Sequence, residues 1–233
     1  MSMTPIIDHT RIVFTGTFFC IADVSASLPR HPSWPHGFMG PDPTTGQPYS
    51  KGTYRAIPGR KIDRVVYHQT EGGYAPAWTQ LQETAQFFVR DPRWKGDPPR
   101  WTGQGRGWPG FAYGLLVPFS PIVFEDRWVV FQCNSLDLVT WHTGDGCNEP
   151  GIGVAFQGYF AFEPVQHFRP LKGQDGHPSD AQLQIAEDLW FEYFKPTFKL
   201  SNKRLETHSM HKKPSCPGVD LDNLAARIRA LDD

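Results

Sequence analysis

Apolar residues along this chain fall into two rhythms, broken by long stretches dense in proline and glycine. Residues 11–22 concentrate β-branched and aromatic side chains (Ile12, Val13, Phe14, Phe18, Phe19, Ile21), which predicts a strand or hairpin. Short apolar runs at 62–68, 111–118, 128–132 and 151–158 predict further strands. After the turn signal Glu71-Gly72-Gly73 the spacing changes to three and four. Pro76 suits a first helical turn, Trp78, Leu81, Ala85 and Phe88 share a face, and Asp91-Pro92 ends the helix. A capping box, Ser179 with Gln182 three residues on, opens a second helix with Leu183, Ala186, Trp190 and Tyr193 on its apolar face. Pro196 is expected to stop it. A third helix, 220–231, aligns Leu221, Leu224, Ala225, Ile228 and Leu231. This mixture predicts an α/β fold: a single domain with a central mixed β-sheet, about three flanking helices and long loop insertions.

Composition supports a packed core, with 39% hydrophobic and 20% charged residues in a chain of 233. The 22 glycines and 22 prolines are concentrated enough to make 31–52 and 93–107 loops. The second loop interleaves Trp94, Trp101 and Trp108 with Arg93, Lys95, Arg100 and Arg106. It suits stacking on sugar rings, and equally a structural flap over the core. A net charge of −1, with basic residues only in pairs such as Lys203-Arg204 and Lys212-Lys213, excludes the footprint of a nucleic-acid binder. Asp8, His9, Thr10 and Arg11 interrupt any signal-peptide core, and no run approaches the ~20 apolar residues of a membrane span. The expectation is a monomer made in the cytoplasm without a signal peptide and without a membrane span. The four cysteines have no CxxC spacing. A Cys133–Cys147 bridge is open to them, but buried thiols are the expectation.

Histidine and cysteine eight residues apart, His208 and Cys216, are joined by a polar loop and can reach one metal ion. His68, at the end of an apolar strand, would be a third ligand, leaving the fourth tetrahedral position open as in a catalytic zinc site. His211 competes with His208 for this role, and the eight-residue spacing favours His208. On general grounds each residue also has a plain reading. A strand histidine is more often simply packed, Tyr113 suits a core-edge aromatic, His142 packs beside Trp141, and Lys212 and Lys213 suit a solvated loop.

Five local patterns occur in order: Val-Val-Tyr-His-Gln-Thr-Glu-Gly at 65–72, Trp-Pro-Gly-Phe-Ala-Tyr-Gly-Leu-Leu-Val at 108–117, Trp-His-Thr-Gly-Asp-Gly-Cys-Asn at 141–148, Gly-Ile-Gly-Val-Ala-Phe-Gln-Gly at 151–158, and 208–218. Together they resemble the type-2 N-acetylmuramoyl-L-alanine amidases, the family of the phage lysozyme-type zinc amidases and the peptidoglycan recognition proteins. The resemblance covers about 62–231. It implies a zinc amidase domain at 61–233, interrupted by an insertion at about 76–107 and preceded by a 1–60 extension packed on it. It also implies Zn²⁺ on His68, His208 and Cys216, catalytic roles for Tyr113 and Lys213, and substrate contacts from Thr70, Trp108, His142 and Asn148. The family's lysine two residues before the cysteine is replaced here by Pro214, which makes Lys213 or Lys212 its substitute. The implied activity is hydrolysis of the amide between N-acetylmuramic acid and L-alanine in bacterial peptidoglycan, acting on the wall after release as a phage endolysin does. A non-catalytic peptidoglycan-binding module and a cytoplasmic amidase that recycles muropeptides are the alternatives.

Overall fold

The longest apolar runs form the interior of one sheet. The computed structural model describes residues 7–30, 54–70, 76–89, 106, 108–120, 122–144, 146–160 and 176–231. The strands are β1 (Ile12–Thr15), β2 (Phe19–Asp23), β3 (Arg55–Ala56), β4 (Arg64–Gln69), β5 (Leu115–Val117), β6 (Val123–Phe124), β7 (Arg127–Gln132), β8 (Leu138–Val139), β9 (Gly151–Phe156) and β10 (Leu205–Thr207). Among the described residues, eight of them make one sheet in the order β1-β2-β7-β5-β9-β4-β10, with β6 paired to β7, while β3 and β8 pair separately. The sheet is mixed: β5, β9, β4 and β10 run parallel to one another, β5 meets β7 antiparallel, and β2 lies parallel to β7. The strand or hairpin expected at 11–22 is a hairpin at the edge of the same sheet, β1 turning back on β2. β9 is buried along its whole length, which is why it reads as an unbroken apolar run instead of an alternation.

Helices cover both faces. Strand parity sends Val65, Tyr67, Ile152, Val154 and Phe156 into a cluster with α2 (Asp180–Asp188), the helical residues after it and α4 (Val219–Arg229). Ala155, Leu116, Val129 and Phe131 point the other way, against α1 (Ala77–Val89), whose Trp78, Leu81, Ala85 and Phe88 form the expected stripe. His68 sits directly across from Ala155 on the neighbouring strand and therefore belongs to the α1 face.

Two expectations are corrected. Pro196 does not stop the second helix, which continues as a π-helical stretch (Leu189–Phe194) into α3 (Lys195–Phe198). The Lys195 N–H reaches back five residues to the Trp190 carbonyl, widening the turn where the proline ring would otherwise press on the preceding turn. The helix ends instead at Lys199, in the left-handed conformation with φ 53°. The strand expected at 111–118 contracts to Leu115–Val117, because the buried Asn134 amide donates to the carbonyls of Phe111 (2.9 Å) and Tyr113 (2.7 Å) in place of a strand partner.

The capping box forms as read. Ser179 Oγ accepts the Gln182 N–H and donates to the Phe119 carbonyl, while the Gln182 amide donates to the carbonyls of Val117 and Gln157 at the ends of β5 and β9. Ser179→Ala is expected to lower stability by about 1 kcal/mol, the typical cost of an N-cap. The check is a shift of the urea midpoint with an unchanged slope.

Candidate functional site

Parallel pairing builds the site. Thr207 of β10 lies opposite Tyr67 of β4, so the next residue of each strand brings His208 beside His68, with ring centroids 4.4 Å apart. The chain then makes a short 3₁₀ turn (His208–His211) and loops back to present Cys216. Gln69, buried directly after His68, clamps that loop: its side chain donates to the Ser215 carbonyl (2.8 Å) and accepts the Phe160 N–H, and its backbone N–H points at Cys216 Sγ (3.3 Å). Gly218 follows with φ 102°, and a Cβ there would lie 2.6 Å from the Phe160 carbonyl oxygen, so the turn into α4 demands glycine.

One ligand atom from each of His68, His208 and Cys216 falls within 4.8 Å of the others. Cys216 Sγ lies 4.0 Å from His68 Nδ1. A tetrahedral zinc about 2.3 Å from sulfur and about 2.0 Å from nitrogen sets such ligands roughly 3.6 Å apart, so a small side-chain rotation closes the difference. The donor chemistry fits too. Burial holds His68 well below the usual histidine pKa, with His142, His208 and His211 adding to the effect, so its nitrogen lone pair is available. The Gln69 N–H aimed at the sulfur favours a thiolate.

His142 completes the support. It is buried, and its Nδ1 lies 3.1 Å from His68 Nε2. With His68 Nδ1 toward Cys216, its Nε2 is left facing His142 Nδ1, the kind of outer partnership that would fix the tautomer of a ligating histidine. Burial pushes His142 down to about 3, which keeps it a neutral acceptor. Its place depends on Gly153, where a Cβ would sit 2.7 Å from His142 Cγ. It depends also on Asn148, whose Oδ1 accepts the backbone N–H groups of His142 and Thr143, each at 2.9 Å. His142→Ala is expected to weaken metal affinity by about 10–100-fold. Competition against a colorimetric chelator measures it, and an unchanged affinity would remove His142 from this role.

The remaining candidates separate. The Tyr113 ring stands 5.0 Å from that of His68, packed edge-on to Phe88 and Phe111. Trp108 stacks on Phe88 at 5.1 Å and meets Trp141 edge-on. Thr70 Oγ1 accepts the Gly158 N–H at 3.1 Å, tying β4 to the end of β9. Lys213 is exposed, and its carbonyl accepts the Cys216 N–H. His211 does not join His68; it groups instead with Cys147 and Glu206, while His208 takes the position beside His68. No disulfide joins the four cysteines; Cys20, Cys133 and Cys216 are buried and Cys147 is half-exposed, so the Cys133–Cys147 bridge is absent. Trp94 and Trp101 lie outside the described residues. Sequence reading missed Gln69, Asn134, Glu206 and Cys147 as parts of the site region. For Gln69 the available signal was a glutamine placed directly after the histidine of an otherwise apolar strand.

A sequence profile described as N-acetylmuramoyl-L-alanine amidase matches residues 58–219. No curated protein matches the chain. Among solved structures, the N-acetylmuramoyl-L-alanine amidase LysC from Clostridium intestinale URNW is similar over 77% of this chain and 94% of its own, with TM-score 0.52 and 16% identity. The endolysin amidase LysCS from the same organism gives TM-score 0.50 at 17% identity, over 77% of this chain and 92% of its own. The Drosophila peptidoglycan recognition protein PGRP-SA gives TM-score 0.49 at 23% identity, over 77% and 83%. The two amidase structures share this mixed α/β architecture.

Proposed function

Because the chain belongs to the N-acetylmuramoyl-L-alanine amidase family, we propose that it hydrolyses the amide between N-acetylmuramic acid and L-alanine in peptidoglycan, using zinc held by His68, His208 and Cys216. The convergence of these three side chains from β4, the end of β10 and the loop before α4 is the observation that carries this reading. Zinc bound there supplies the Lewis acidity for amide hydrolysis.

The chain's own residues supply the rest. His68 and His208 would offer zinc two neutral nitrogen donors, and Cys216 one anionic sulfur. His142 and Gln69 hold the donors in place. Tyr113, beside His68, is assigned the hydroxyl that donates to the developing oxyanion. Lys213, exposed between the last two ligands, meets the substrate from the solvent side. In this reading the protein lyses the wall as an endolysin does, acting after release from the cytoplasm.

The test is clearance of purified cell walls by the zinc-loaded protein, with appearance of the free α-amino group of L-alanine and no new reducing ends. Binding to the walls without release of that amine would instead make the protein a recognition module. Cleavage confined to small soluble muropeptides would make it a recycling enzyme.

A further inference from the structure

A second cluster lies on the same sheet face as the metal donors. By strand parity Arg64, Val66 and His68 of β4 share that face, and the register sets Glu206 of β10 opposite Val66. Over these residues pack Cys147, from the loop that carries His142, and His211, from the turn that carries His208. Cys147 Sγ lies 3.6 Å from His211 Nδ1, and His211 Nε2 lies 2.8 Å from Glu206 Oε2. The Arg64 guanidinium donates toward Cys147 Sγ (3.5 Å) and Glu206 Oε1 (3.4 Å), and its Nε donates to Asp63 (2.8 Å).

From this arrangement we infer that Cys147 is an activated nucleophilic thiol, a site for covalent modification by hydroperoxides that is separate from the zinc donors. A thiol, an imidazole and a carboxylate in line, with the imidazole bridging the other two, form the relay that converts a thiol into a thiolate–imidazolium pair. Glu206 holds the His211 ring with Nδ1 toward the sulfur, and Arg64 places a fixed positive charge beside that sulfur. Asp63, bound to Arg64, and Glu206 are the opposing negative charges close by.

The same three residues match the ligand types of a metal site, but two observations favour the thiol. Arg64 already places a fixed positive charge against both the sulfur and the carboxylate, where a divalent ion would be repelled. Glu206 Oε2 is also engaged by the far nitrogen of His211, so it orients the ring instead of facing a shared centre. Cys147 is half-exposed, whereas Cys20, Cys133 and Cys216 are buried, so a small oxidant in solvent meets Cys147 first.

The reaction balances within the cluster. The thiolate sulfur attacks one peroxide oxygen and forms an S–O bond as the O–O bond breaks. The sulfur is oxidised to a sulfenic acid and the peroxide is reduced to hydroxide, or to alkoxide for an organic peroxide. The proton that the thiol gives up passes through His211 to that leaving oxygen and gives water or an alcohol.

The test follows the pH dependence of iodoacetamide labelling of the zinc-loaded protein, with each cysteine quantified by mass spectrometry. An ordinary thiol labels about tenfold faster per pH unit below roughly pH 8.5, because the thiolate fraction rises at that rate. Cys147 is expected to change less than about threefold between pH 6.5 and 8. At pH 6.5 it is expected to label roughly fivefold faster than a cysteine peptide, the gain in thiolate being partly offset by weaker nucleophilicity. Glu206→Gln should restore much of the ordinary slope. Hydrogen peroxide followed by a β-diketone probe should mark Cys147 before the other three cysteines. An ordinary slope in the parent protein overturns the inference. So does a second zinc per chain that is lost in Cys147→Ser. Neither readout depends on wall hydrolysis, so the result is independent of the amidase reading.

Discussion

Cys216→Ala is expected to leave the protein folded, without bound zinc and without wall-clearing activity. The thiol is one small buried side chain on a loop, whereas the sheet rests on β4, β9 and β5 and on helices packed against both faces. Its removal therefore leaves the strand register that places His68 beside His208. What disappears is the anionic donor and the acceptor of the Gln69 N–H. Two neutral imidazoles alone form an incomplete site, so the loss in zinc affinity should exceed the roughly 10–100-fold typical of removing an outer partner of a ligand. Elemental analysis of dialysed protein measures the ion, and turbidity of a wall suspension measures the activity. Stoichiometric zinc with undiminished clearance in this variant would remove Cys216 from the centre and the proposed chemistry with it. Cys216→Ser adds a graded comparison, since a hydroxyl keeps the volume but is a poorer ligand at neutral pH.

How much of this was legible in the sequence depends on how local each signal is. Helix α1 and the Ser179–Gln182 cap were readable because spacing and capping act within a few residues. The order and spacing of His68, His208 and Cys216 along the chain pointed to the group that converges here, although only the parallel pairing of β4 with β10 explains why His208 and not His211 stands beside His68. Other supporting groups, Gln69, Arg30 and Gly153 among them, were not readable. Gln69 acts on a carbonyl 146 positions away, and Arg30 donates to the Asn134 side chain across 104 positions. Gly153 looks like any strand glycine until His142 is seen lying over its backbone. Pro196 misled for a related reason: the rule that proline ends a helix assumes α-helical hydrogen bonding before it, and the π-helical turn here removes that condition.

Tyr113→Phe is expected to lower the turnover of wall hydrolysis by about 10²–10³-fold while zinc content and wall binding stay near those of the parent protein. The ring is held by contacts that phenylalanine preserves, edge-on to Phe88 and Phe111 and 5.0 Å from the His68 ring. Its backbone is pinned by the Asn134 amide, which itself is anchored by Arg30. The substitution therefore removes one hydroxyl and little else. A donor aimed at the oxyanion acts mainly as negative charge develops on that oxygen, so its loss falls on kcat far more than on KM. A packing role predicts the opposite pattern: lower stability, or weaker zinc binding through the displaced His68 ring, with turnover per bound zinc unchanged. Measuring kcat per zinc together with the thermal midpoint separates the two, and an unaltered kcat would return Tyr113 to the aromatic core. The same variant bears on the choice between hydrolase and recognition module, because a protein that only binds stem peptides has no turnover for the hydroxyl to support.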